Sequence, residues 1–139
     1  MVDCPKFKDK MDRDICVMAL AARRRDPSLC KGIVHPTVER ICSSVLVKGE
    51  CTGITDSGYR ILCEASLAND PGQCGRLLHN DVSLCYTAVA IFNMDLATCD
   101  KAPDRGEKAL CYSLVGSCAQ LKDPQDIRLC REKVSDMIH

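Results

Sequence analysis

The spacing of twelve cysteines is the feature that most restricts what this chain can fold into. They form six successive pairs, and the two members lie twelve positions apart in five pairs and eleven apart in the fourth. The intervals between pairs vary more than those within them, so the pair is the repeated unit. The units run at about 1–25, 26–47, 48–69, 70–94, 95–117 and 118–139.

Other positions keep the same register. An apolar residue precedes each second cysteine, and another follows it by four positions. A further apolar residue lies three positions after each first cysteine. Five positions after each first cysteine lies an Asp or His, namely Asp9, His35, Asp56, His79, Asp104 and Asp123. Matches in all six units establish an internal repeat.

This pattern predicts two antiparallel helices in each unit. Apolar groups around the second cysteine recur at helical period, and the Asp or His upstream fits an N-cap, with Pro36 and Pro124 in the first turn. A shorter first helix is predicted to start after Asp26, Asp70 and Asp95. Each unit is therefore predicted to be an αα-hairpin with helices of about 8 and 12 residues, which gives an all-α chain of twelve short helices.

The hairpin places its two cysteines at comparable height on facing helices. A disulfide needs Cα atoms about 4.4–6.8 Å apart, which small neighbours such as Gly32 and Gly75 permit. Each bridge adds roughly 3 kcal/mol of stability in the chain-entropy model. We therefore predict six intra-unit bridges: Cys4–Cys16, Cys30–Cys42, Cys51–Cys63, Cys74–Cys85, Cys99–Cys111 and Cys118–Cys130.

Stacked hairpins bury their apolar stripes against their neighbours, so we expect a single domain over residues 1–139 with a compact solenoid-like arrangement. Irregular linkers, such as residues 47–50 without a cap, argue against a perfectly regular solenoid. The sequence leaves open whether the array is an open superhelix or a closed globule.

Thiol-based metal binding or redox buffering is the alternative use of the cysteines. Zinc and iron–sulfur sites usually contain cysteines with two to four residues between them, whereas the closest two here, Cys111 and Cys118, have six residues between them. Thiol–disulfide catalysts use a C-x-x-C motif, which this sequence lacks. The spacing therefore favours disulfides, and we predict neither a metal site nor a cofactor.

Charge and composition exclude several classes of function. The 19 basic and 19 acidic residues balance, so nothing indicates binding to nucleic acid. No apolar run is long enough for a membrane span. His35 and His79 occupy one repeat position and are interpreted as caps, and the carboxylates of Asp12, Asp14 and Asp126 as surface groups and caps. We predict no catalytic residues and therefore no enzyme.

Every repeated residue is thus explained by folding, so function is expected at positions that do not repeat. The clearest is the cluster Arg23, Arg24 and Arg25, in a segment of net positive charge. We predict that it is an interaction patch of a non-enzymatic scaffold whose partner is another protein.

The unit Asp-Pro-x-x-Cys followed by Asp or His and by Ile/Leu-Cys, best seen at 26–46, 70–89 and 95–115, resembles cysteine-paired helical repeats of uncharacterised archaeal proteins. The resemblance implies a disulfide-stapled, thermostable archaeal protein. It is expected in the cytoplasm of a hyperthermophile, or outside the cell if a signal peptide has been removed.

Overall fold

The computed structural model describes residue 4, residues 7–77 and residues 80–137. Within them the seven α-helices are α1 (Lys10–Arg24), α2 (Pro36–Ser43), α3 (Ser57–Ala68), α4 (Asn80–Asn93), α5 (Leu96–Cys99), α6 (Arg105–Val115) and α7 (Pro124–Met137). Three 3-10 helices span Pro27–Gly32, Pro71–Arg76 and Cys118–Gln120, and a π-helical turn, Ser44–Lys48, follows α2. The described residues contain no strand, so the all-α prediction is confirmed for them.

The second helix of each unit begins where the cap was predicted. Five of the six capping side chains accept a hydrogen bond from a backbone N–H two or three residues later: Asp9, His35, Asp56, Asp104 and Asp123. The sixth predicted cap, His79, lies outside the described residues. These caps satisfy N–H groups that have no partner within the helix, and so fix where it begins.

The predicted first helices, and with them the total of twelve helices, are wrong. In place of an eight-residue helix the described chain has one turn of three to six residues, such as Pro27–Gly32, and none around Cys51. The residue three after each first cysteine donates its N–H to that cysteine's carbonyl at 3.1–3.2 Å, which ends the turn. Between the caps Asp26 and His35 only residues 27–34 are available, and they must also reverse the chain direction. A full α-helix does not fit that length.

All twelve cysteines are joined in six disulfides, and the pairs are those that the spacing predicts. Their Cα–Cα distances are 5.5–6.0 Å, within the usual range for a bridge. Eleven of the cysteines are buried, and Cys118 is half-buried. Each bridge thus pins a short turn to the helix that follows it.

The solenoid-like arrangement is not confirmed. In an array of that kind each unit contacts only its neighbours. Here α1 packs against α4 and α6 as well as α2. Near the other end of the chain, Lys133 on α7 forms an ion pair with Asp12 on α1. The described helices therefore fold back on themselves, and the first helix contacts the last.

Buried polar groups link some units to later ones. Asp14, two residues before Cys16, is 2% exposed and accepts hydrogen bonds from the N–H groups of Val34 and His35, both at 3.0 Å. At the same position in unit four, the hydroxyl of Ser83 accepts from the N–H of Asp104 at 3.0 Å. In both cases one helix holds the start of another unit's second helix. The interpretation of Asp14 as a surface group is wrong, and it is also wrong for Asp12 and Asp126, which are buried.

The apolar stripe divides into two parts. Of the six residues that directly precede a second cysteine, Leu129 is half-buried. The other five are buried: Ile15, Ile41, Leu62, Leu84 and Leu110. Four positions after the second cysteine only Val89 is buried, four others are half-buried, and Leu67 is 39% exposed. The second position is therefore not a regular part of the core, and two of its members lie on the surface described next.

Candidate functional site

The carboxyl-terminal ends of three helices and the π-helical turn meet at one surface. Two adjoining depressions of about 300 and 570 Å³ lie between them. They share Ala22, Arg25, Phe92 and Asn93, and we call them together the Arg25 groove. Its described lining residues are Ala22, Arg23, Arg25, Val45, Leu46, Ser66, Leu67, Phe92, Asn93 and Met94.

Left-handed residues terminate the helices around this groove. Arg25, Asn69 and Met94 have φ values of 50°, 51° and 52°. The N–H of the aspartate after each one donates to a carbonyl five residues earlier, at Ala21, Ala65 and Ala90. This is the hydrogen-bond pattern that closes a helix at its carboxyl end, where glycine or asparagine is the usual left-handed residue. Arginine and methionine are unusual there.

The left-handed conformation costs a residue with a Cβ roughly 1–2 kcal/mol relative to glycine. Arg25 and Met94 both carry this cost, and both line the groove. By contrast, the corresponding ends of α3 and the π-helical turn have Asn69 and Gly49, which are better suited to it. Strained backbone that coincides with a concave surface is an observation from which a functional role can be inferred.

Polar groups in the groove come mainly from α3 and α4. The side-chain nitrogen of Asn93 donates to the carbonyls of Ser66 and Val89, both at 2.9 Å, which ties the ends of the two helices together. The hydroxyl of Ser66 is buried and has no hydrogen-bond partner among the described residues. A hydroxyl left in that state costs about 1–3 kcal/mol, so it is a candidate to bind an incoming acceptor.

The structure divides the predicted Arg23–Arg25 patch. Arg25 lines both depressions, and Arg23 lines one of them while its Nη2 donates to the carbonyl of Leu114. Arg24 is exposed but is not among the described lining residues. Only two of the three arginines are therefore part of the groove.

Sequence reasoning missed the apolar part of this surface. Leu46 and Leu67 were assigned to the buried stripe because they repeat, yet both line the groove. Met94 is 50% exposed, and Phe92 is half-buried. The one available signal was that Ile91, Phe92 and Met94 continue the apolar residues past Val89, where the predicted stripe of that unit ends.

A second concave surface, of about 520 Å³, lies between α6 and α7. Asp126 is buried there, with its carboxylate 3.7 Å from Arg105 and 3.6 Å from Lys108. Burial, and then the hydrogen bond from its hydroxyl to Asp100, raise the pKa of Tyr112 to about 12. Arg105 and Lys108 form ion pairs with the acids of this cleft, so we interpret it as an ion-pair contact that joins the last two units.

A half-buried acid, Glu107, lies where α1, α6 and α7 meet. The Oε1 atom of Glu107 is buried and has no hydrogen-bond partner in the described part of the chain. Burial, followed by the nearby carboxylates of Asp12 and Asp104, raises the pKa of Glu107 to about 7, although Lys133 acts in the opposite direction. Sequence reasoning missed this site because its members come from distant parts of the chain.

The cysteines and His35, which were considered as candidates for metal binding and for a histidine site, have structural roles among the described residues. Every cysteine sulfur is in a bridge, and the thiolate that binds metals is not present in that state. The described residues contain no group of three or more His, Cys, Asp or Glu arranged to hold a metal ion. His35 caps α2, and its ring lies 5.7 Å from that of Tyr59.

Comparisons with protein-family models, with curated proteins and with solved structures find no match to this chain. The resemblance to archaeal repeat proteins therefore depends on the sequence pattern alone. Of the helices described, none combines the length and the apolar character needed to cross a membrane.

Proposed function

We propose that this chain is a non-enzymatic helical scaffold, held rigid by its disulfides, which binds another protein through the Arg25 groove. The observation that carries this proposal is a concave surface with exposed apolar side chains, Leu67 and Met94, next to arginine. Exposed apolar surface with a polar rim is typical of interaction sites.

Rigidity supports the same function. A rigid surface loses little conformational entropy when a partner binds, so more of the contact energy contributes to affinity. The ends of α1, α3 and α4 each belong to a helix pinned by a buried bridge, at Cys16, Cys63 and Cys85.

Selection from a random peptide library tests the proposal. Twelve-residue peptides displayed at the amino terminus of a phage coat protein are selected on the oxidised protein. We expect clones that bind the wild type and lose most of their binding to Leu67→Ser. The matched control is Val34→Ser, which changes a 60% exposed valine that is not a described lining residue. Clones that bind all three proteins equally would contradict the proposal.

Thiol-based metal binding or redox buffering is the competing proposal. It requires free thiols, whereas the bridges account for all twelve cysteines. Metal analysis and thiol titration of protein purified without reductant separate the two. A stoichiometric metal with titratable thiols would support the competing proposal.

The bridges also support a proposal about location. Disulfides persist in oxidising compartments and, as an exception, inside hyperthermophiles. We propose one of these two settings for this chain, in keeping with its archaeal resemblance.

A further inference from the structure

The charge of the Arg25 groove limits what it can bind. Its charged lining residues among those described are Arg23 and Arg25, and both are exposed. We infer that the groove takes a short amphipathic peptide segment in which an Asp or Glu side chain is flanked by aliphatic residues. This inference rests on the proposed interaction function and specifies the chemistry of the partner.

Helix polarity makes the arginines necessary for such a partner. The groove lies at the carboxyl-terminal ends of α1, α3 and α4, where the helix dipole places partial negative charge that repels a carboxylate. A guanidinium reverses that preference and offers paired N–H donors that match a carboxylate. Arg25 provides this group in both depressions.

Arg23 supports the same site from one side. A guanidinium has five N–H donors, and the contact with the carbonyl of Leu114 uses one N–H of Nη2. That contact fixes the position of the side chain, so less entropy is lost when its other donors bind a ligand.

Ser66 supplies an independent indication. It is 2% exposed, its hydroxyl has no hydrogen-bond partner among the described residues, and it lines the same depression as Arg25. A hydroxyl donates readily to a carboxylate or a peptide carbonyl. The lining of this depression therefore contains a second potential donor besides the Arg25 guanidinium.

Apart from Asn93, the remaining walls are aliphatic or aromatic: Leu46 and Leu67 lie in one depression, Met94 lies in the other, and Phe92 lines both. They contact the apolar side chains that flank the acid. Methionine adapts its shape to different partners, which suits a surface that takes a peptide. The unfavourable backbone of Arg25 and Met94 is consistent with side chains retained for binding.

The test starts from the peptides selected on the wild type. One such peptide is synthesised with a fluorophore, together with an analogue in which Asp and Glu become Asn and Gln, and Kd is measured by fluorescence anisotropy. We expect the analogue to bind at least about tenfold more weakly, because it loses a charge-assisted contact. Arg25→Ala should weaken the acidic peptide by a similar factor and its amide analogue much less.

Arg24→Ala is the matched control, since Arg24 belongs to the same cluster but is not a described lining residue. It should change Kd less than about twofold, and circular dichroism checks that both variants are folded. Raising the salt concentration should weaken the acidic peptide more than the amide analogue.

The outcomes separate the two proposals. If no selected peptide depends on Leu67, the interaction function fails, and this inference fails with it. If Leu67-dependent peptides bind equally well without their acids, the function stands and this inference is overturned. One further combination of results would overturn it: a short single-stranded oligonucleotide displaces the peptide, and the amide analogue binds as tightly as the acidic peptide.

Discussion

Glu107 gives the sharpest test of the electrostatics in this fold. Its pKa in the folded chain is about 7, against an ordinary value of 4.5. The folded state therefore retains a proton that the unfolded chain releases between these two pH values. At 1.36 kcal/mol for each pH unit of difference, ionised Glu107 lowers the free energy of unfolding by up to about 3 kcal/mol.

The direction follows from linkage. Below about pH 4.5 the raised pKa of Glu107 does not change the free energy of unfolding, because the carboxyl group is protonated in both states. As the pH rises through about 7, ionisation of the group lowers the free energy of unfolding. Glutamine has nearly the same shape and no charge. Glu107→Gln should therefore match the wild type near pH 4 and be up to about 3 kcal/mol more stable near pH 8.

Urea denaturation of both proteins from pH 4 to pH 9 measures this difference. Other acids titrate over the same range, but the difference between two proteins isolates residue 107. Glu64→Gln is the control, because Glu64 forms an exposed ion pair with Arg60 and should give a change below about 1 kcal/mol. A difference that stays constant from pH 4 to pH 8 would refute the raised pKa of Glu107.

Three further predictions follow from the same structure. Asp14→Ala removes the acceptor of the Val34 and His35 N–H groups and should cost about 1–3 kcal/mol in urea denaturation, with a smaller loss for Asp14→Asn. Arg25→Gly should raise stability by about 1 kcal/mol and weaken binding of the acidic peptide by at least about tenfold, whereas Arg24→Gly, inside helix α1, should lower stability. Since Cys118 is the half-buried cysteine, limited reduction followed by alkylation and mass spectrometry should find the Cys118–Cys130 bridge opened first. Equal opening of the six bridges would contradict this.

Local rules predicted the second helices and the bridges. A cap such as Asp56, an apolar residue before the cysteine and a fixed loop length depend on contacts within about a dozen residues. The sequence carries that information directly, so these predictions agree with the structure. The first helices failed because their lengths depend on how much chain is needed to reverse direction before the next cap.

The repeat pattern did not predict how distant units pack against one another. Leu67 and Val89 occupy the same repeat position, yet one is 39% exposed and the other 0%. Their environments differ because α1 and α6 pack against α4. The same non-neighbour packing brings Asp12 near Glu107 and so creates an acid with a raised pKa. A repeat fixes what each unit looks like by itself, but the order in which units meet decides which residues stay exposed.

The ion pair between Asp12 and Lys133 has an evolutionary consequence. Open repeat arrays lengthen or shorten by whole units, because each new unit only needs a surface at one end. In this chain the last helix contacts the first, so an inserted or deleted hairpin would separate α7 from α1 and leave Asp12 without that partner. The contact between α1 and α7 thus depends on the number of hairpins that lie between them, and a variant with one of those hairpins duplicated should lose this ion pair even though each unit resembles the next.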